Sequence, residues 1–134
     1  MTVTLRIDPP LWTRTLSAPV DFAECGVRVD SMTLQGTVMS VYADIDYTVT
    51  DANAYHKAFD ARGAYFRMRD ESGRLYENGT MGGGFVRSEQ DCFHQFTDLQ
   101  AREDPLSDAV LEVIDWAHRD EDIPGAEAHV IALQ

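Results

Sequence analysis

From Val41 to Val49 the chain alternates without a break: Val41, Ala43, Ile45, Tyr47 and Val49 at odd positions, Tyr42, Asp44, Asp46 and Thr48 at even ones. Successive side chains of a strand point to opposite faces, so a period of two over this length specifies a half-buried β-strand and excludes a helix. The odd residues belong to a core and the even ones to solvent. Asp44 and Asp46 then stand on one wet face, roughly 6–7 Å apart along it from the strand rise. Paired carboxylates can serve as acid and base, or hold a hard cation, where a cleft brings them together. In mid-strand, with no loop converging on them, this pair reads as a solvated face.

The flanking segments extend the same pattern. In "GVRVDSMTLQG", Val27 and Val29 share one parity and Met32 and Leu34 the other, which predicts a β-bulge near Asp30-Ser31. Gly36 and Thr37 then turn this strand into the next, as a hairpin. "DANAYHKAFDARG" reads as a short helical turn or an irregular connection. In "AYFRMRDESGRLYENG", Phe66 and Met68 face in while Tyr65, Arg67 and Arg69 face out, and "DESGR" makes a turn with Gly73 in the left-handed conformation. "NGTMGGG" reads as loop, because its run of glycines is costly to order in a regular element. "DCFHQFTDL" is a further strand, "AREDPLSD" a polar loop, and "AEAHVIAL" a closing strand opened by "IPG". In "SDAVLEVIDWAHR", Asp108, Glu112, Asp115 and Arg119 have helical spacing, but the β-branched residues between them and the all-strand neighbourhood favour a strand.

About seven short strands separated by turn signals describe an all-β, immunoglobulin-like antiparallel β-sandwich. No repeat, low-complexity tract or linker divides the 134 residues, so residues 1–134 read as one domain. Residues 1–24, with Pro9, Pro10 and Pro19, form an edge strand and an irregular lead-in, and residues 25–134 the sandwich core.

A formal net charge of −12 argues against nucleic acid or anionic lipid as a partner, since phosphate would be repelled, and leaves a basic protein or cations. The acidic run "RDEDIPGAE" lacks the ordered ligand spacing of a calcium loop, so neither calcium nor any other metal is expected. His56, His94, His118 and His129 are scattered and fall in no metal or catalytic motif. "GGGF" has no following Lys-Ser/Thr, the serines have no nucleophile-elbow surroundings, and Asn78-Gly79-Thr80 is a glycosylation triplet of a kind frequent by chance. The residues therefore describe no enzyme: no catalytic, cofactor-binding or metal-binding residue is assigned. Cys25 and Cys92 are too isolated for a zinc site. They can form one disulfide in an oxidising compartment, or stay two unrelated buried thiols. No apolar run approaches a membrane span, and "MTVTLRIDPP" lacks the regions of a signal peptide. Taken literally the chain is cytoplasmic; the other reading is a piece of a longer protein.

Several segments together resemble one family. "CGVRVDSMTLQGTVMSVYADIDYTVTD" is similar to the entry hairpin of an uncharacterised immunoglobulin-like domain, "FRMRDESGRLY" to its "f.l.De.G..y" hairpin, "DPLSDAVLEV" to a "p...lti.v" strand, and "IPGAEAHVIAL" to the closing "i.G.w.f.i.l" strand. This domain is found C-terminal to the membrane span in anti-sigma-factor-like proteins of Gram-positive bacteria. The resemblance runs from Cys25 to Leu133, and departs where the family's closing strand carries an aromatic and this chain has Glu127 or His129. It implies a non-catalytic envelope-sensing or protein-interaction domain on the extracellular side of the membrane, binding a protein or envelope ligand, with no cofactor and no direct membrane contact of its own. The alternative from another class is a free-standing cytosolic acidic protein that occupies a basic partner.

Overall fold

A computed structural model describes residues 11–16, 18–38, 40–59, 63–70, 72–76, 78–89, 91–100 and 109–129. Nine strands lie among them: β1 (Trp12–Thr15), β2 (Val20–Phe22), β3 (Val27–Gly36), β4 (Ser40–Val49), β5 (Ala64–Arg69), β6 (Asn78–Glu89), β7 (Cys92–Gln100), β8 (Val110–Asp115) and β9 (Ala126–His129). A single α-helix among the described residues, α1 (Ala52–Ala58), follows β4. The strands form two antiparallel sheets, so the chain is an all-β sandwich. One sheet has the order β1-β3-β4-β7-β6, with β2 also pairing β3, and the other has the order β5-β8-β9.

The β3–β4 hairpin carries the alternation into three dimensions. Val41, Ala43, Ile45 and Tyr47 are buried, as are Val27, Val29, Met32 and Leu34 on β3. The parity change in β3 is a bulge: pairing with β4 steps between Val29 and Ser31. Both valines and both longer side chains thereby reach the same core. From the small sheet, Ala64, Phe66, Met68, Leu111 and Val113 meet them, with Tyr47 against Phe66 at a ring-centroid distance of 4.8 Å. Segment 107–119 is strand from Val110 to Asp115, in agreement with its β-branched content.

β5 is an edge strand whose free backbone groups are taken one by one by other parts of the chain. Tyr55 Oη of α1 accepts from Ala64 N at 3.1 Å. The buried Gln95 side chain of β7 accepts from Phe66 N at 2.9 Å and donates to Phe66 O at 2.7 Å, as a neighbouring strand would. Tyr76 N donates to Met68 O at 3.1 Å. An edge whose backbone groups are paired in this way is a poorer template for another chain. The helix that brings Tyr55 into place is itself capped by Asp51, whose carboxylate accepts from Asn53 N and Ala54 N.

The described residues hold nine strands, with β1 and β2 sharing one edge of β3. One expectation is corrected here. "NGTMGGG" is not a loop: it opens β6, which pairs β7 through an irregular step between Asn78 and Gly83. At Gly84 the strand closely approaches its neighbour: a Cβ there would lie 3.1 Å from Cζ of Phe96. A glycine within a strand often marks such a close approach. Gly73, at φ 89°, makes the expected left-handed turn after β5. The loop expected at "AREDPLSD", the prolines Pro9 and Pro10, and the end of the closing strand after His129 lie outside the described residues.

Candidate functional site

β4 and β7 are direct neighbours, with Asp46 opposite His94, Asp44 opposite Phe96 and Tyr42 opposite Asp98. All six belong to the outward parity of the six-stranded sheet. The His94 imidazole lies between the two carboxylates, Nδ1 2.7 Å from Asp46 Oδ1 and Nε2 3.1 Å from Asp44 Oδ1. Ser31 Oγ, from β3, donates to Asp46 Oδ2 at 2.9 Å. A neutral imidazole has one N–H, so it cannot donate to both carboxylates; the imidazolium can. The hydrogen bond to Asp46 is the main cause that pushes the His94 pKa up, with Asp44 adding to it and partial burial opposing it. Asp44 and Asp46 are about half exposed, at 47% and 55% of their side-chain surface. The pair inferred from alternation is therefore a solvent-facing pair, bridged by a histidine 48 residues further along the chain.

Next to this bridge the sheet surface is concave. A cavity of about 290 Å³ is lined by Gln35, Tyr42, Ala43, Asp44, Phe96, Thr97 and Asp98. Tyr42 and Phe96 are 37% and 46% exposed, whereas Asp98 is buried. Because paired residues alternate in kind, the two rings occupy one diagonal of a two-by-two square and the two carboxylates the other: Tyr42 and Asp44 on β4, Asp98 and Phe96 on β7. The Phe96 ring lies against Gly84 on one side and faces His94, at a centroid separation of 6.5 Å, on another.

The remaining sequence candidates lie apart from this surface or serve the fold. No disulfide joins Cys25 and Cys92: Cys25 ends the short 3-10 turn Ala23–Cys25, and Cys92 opens β7 beside Thr48. Burial, with a smaller contribution from Glu24, pushes the Cys25 thiol pKa up, which disfavours the thiolate. His56 lies on α1 and His118 bonds Glu121. Among the described residues no group of three or more His, Cys, Asp or Glu side chains is placed to hold a metal ion. Nor is any described helix long and apolar enough to cross a membrane.

The acidic run 119–127 has a different use, which alternation alone could not show. Arg67 and Arg69, on the outward parity of β5, are both buried. Arg67 Nε donates to Glu112 Oε2 at 2.5 Å and Arg69 Nε to Glu112 Oε1 at 3.1 Å, with Glu112 fully buried on β8. The guanidinium groups then hold the segment after β8 by its carbonyls: Arg67 donates to Arg119 O, Glu121 O and Ile123 O, and Arg69 to Ile123 O and to the Asp122 carboxylate. Carbonyl oxygens that could have faced a cation accept from arginine instead. A pair of arginines two apart in one strand, facing a glutamate in its partner, is the sequence signal that this cluster carries.

No family model matches the chain, and no curated protein or solved structure shows detectable similarity to it.

Proposed function

We propose that the chain is a non-catalytic protein-interaction domain that engages a basic partner through the outer face of its six-stranded sheet. The observation that carries this reading is the row of half-exposed carboxylates on β4, beside exposed aromatic rings, in a chain of net charge −12. Opposite charge accelerates encounter and selects among partners, while aromatic rings supply area that a charged surface lacks. The family resemblance supports a setting for this activity: the outer part of a membrane-anchored anti-sigma-like regulator, sensing a protein or envelope ligand. A second reading, favoured by the same excess of acidic residues, is a free-standing acidic protein that covers a basic partner's own binding surface.

Titrating isotope-labelled protein with a hexa-arginine peptide and, separately, with a hexa-glutamate peptide tests the interaction. Amide resonances of β3, β4 and β7 should move with the first peptide only, and the shifts should shrink as salt is added. Equal response to both peptides, or none to either, rejects the reading. Protease treatment of intact producing cells separates the two settings: digestion from outside places the domain in the envelope, and protection places it in the cytoplasm.

A further inference from the structure

We propose that the concavity between Tyr42 and Phe96 is a receptor for a single arginine side chain of the partner polypeptide, with Asp44 as its counter-ion. This inference rests on the reading of the domain as a binder of basic protein. The site has three properties that this side chain requires. It has aromatic faces: Tyr42 and Phe96 lie on neighbouring strands at diagonal corners of the square, both exposed at their outer surface. It has negative charge between them: Asp44 stands beside Tyr42 in the outward row of β4 and directly opposite Phe96, and the buried Asp98 stands directly opposite Tyr42. It has room: about 290 Å³.

A guanidinium group is planar, weakly hydrated and always charged, so it stacks on rings and bonds carboxylates at its edge in one pose. An ammonium is a compact, strongly hydrated point charge and uses only the second of these. Gln35, which faces Tyr42 from β3, adds an amide at the rim. The geometry is set before a ligand arrives. Gly84 leaves the space in which the Phe96 ring lies, and a Cβ there would meet it at 3.1 Å. Asp44 Oδ1 is oriented by His94 Nε2 at 3.1 Å, while the carboxylate stays about half exposed. Rings and carboxylates held in advance lose little freedom on binding.

The probe is a capped pentapeptide with one central arginine flanked by glycines, compared with the same peptide carrying lysine or citrulline. Citrulline keeps the shape and removes the charge. Shifts of amide resonances at residues 42–44 and 96–98 with the arginine peptide, weaker with lysine and absent with citrulline, are expected. Phe96→Ala should weaken arginine binding by roughly three- to thirtyfold, the range of a cation–π contact, and Asp44→Asn should weaken it as well. Val38→Ala, on the exposed turn before β4, should bind as the parent does. Thermal melts verify that each variant folds. If hexa-arginine binds but the shifts lie elsewhere, or survive Phe96→Ala and Asp44→Asn, the receptor is wrong and the broader binding role stands. If lysine and arginine peptides bind equally, the site reads charge alone and the arginine assignment falls. If neither the pentapeptides nor hexa-arginine bind, both readings are overturned.

Discussion

The two sheets each carry a cluster of basic and acidic side chains on their outward faces, and the clusters differ in almost every physical respect. On the six-stranded sheet His94 bridges Asp44 and Asp46 in the open, with the imidazole one-third exposed and the carboxylates about half exposed. On the three-stranded sheet Glu112 bridges Arg67 and Arg69 with all three side chains out of solvent. Strand parity assigns both clusters to an outward face. The difference is a roof: residues 119–123 cross the small sheet and receive the guanidinium hydrogen bonds through their carbonyls, and nothing comparable is described over β4 and β7. Outward on a strand is a statement about the sheet, and exposure depends on what the rest of the chain lays over it. The buried cluster ties a segment down. The open one leaves its carboxylates about half exposed to solvent.

Removing the central carboxylate of the buried cluster is the largest expected effect. Glu112→Gln leaves two guanidinium groups without their shared counter-charge in a site closed to water, and should cost about 3–5 kcal/mol. Urea denaturation measures it; a loss below about 1 kcal/mol would show the roof to be open to solvent, as at a surface pair. Gln95→Leu probes a neutral buried group in the same way. It keeps the volume but strips Phe66 N–H and C=O of their partners on the sealed edge of β5. Unsatisfied buried backbone groups cost about 1–3 kcal/mol each, so a loss of about 3 kcal/mol is expected in the same denaturation assay. A loss under about 1 kcal/mol would mean that water reaches the edge.

Gly125 tests how closely the roof is fitted. Its N–H donates to Glu112 Oε1 at 2.7 Å, and a Cβ at this position would lie 2.5 Å from Val113 O and 2.8 Å from Glu112 Cγ. Gly125→Ala must push the segment away from the sheet, and should cost about 1–3 kcal/mol by overpacking. The same substitution would be neutral if the segment were loosely laid on the sheet.

How far these features could be read from the sequence follows from the range of the interactions involved. Alternation from Val41 to Val49 is local, so the core-facing residues of β4 and the shared face of Asp44 and Asp46 were legible, as was the bulge at Asp30-Ser31 from its parity change. His94 was visible only as a lone histidine, because its role depends on β7 lying beside β4 in one register, a fact of topology. Alternation puts Arg67 and Arg69 on the outer side of β5 but cannot show that they are buried there, since the carbonyls that cover them come more than fifty residues later. The glycines of β6 misled for a related reason. Glycine lowers the propensity of a strand, but Gly84 stands where the Phe96 ring lies, and that neighbour is invisible until β6 and β7 are paired.

The smallest effect on stability is expected at the open cluster, and it is also the most informative about charge. Asp44→Asn and Asp46→Asn should each change stability by about half a kcal/mol or less near neutral pH, as solvent-facing substitutions do. Their influence on His94 should differ. The bond from Asp46 is the main cause of the raised His94 pKa, with Asp44 second, so Asp46→Asn should return the titration further towards the ordinary histidine value than Asp44→Asn. A group whose pKa is raised by folding stabilises the fold while it is protonated in both states. That contribution is fully present below the ordinary value near about 6.5, and is lost as pH rises through the raised value of the folded protein. The parent should therefore lose a small part of its stability, no more than about 1 kcal/mol for a pair this exposed, over that window. Asp46→Asn should lose less over the same window. Following the His94 ring protons by NMR across the titration measures all three pKa values. Identical titrations in the parent and in Asp46→Asn would mean that the imidazole does not sit between the carboxylates in solution, and the contrast between an open and a covered cluster would then rest on the covered one alone.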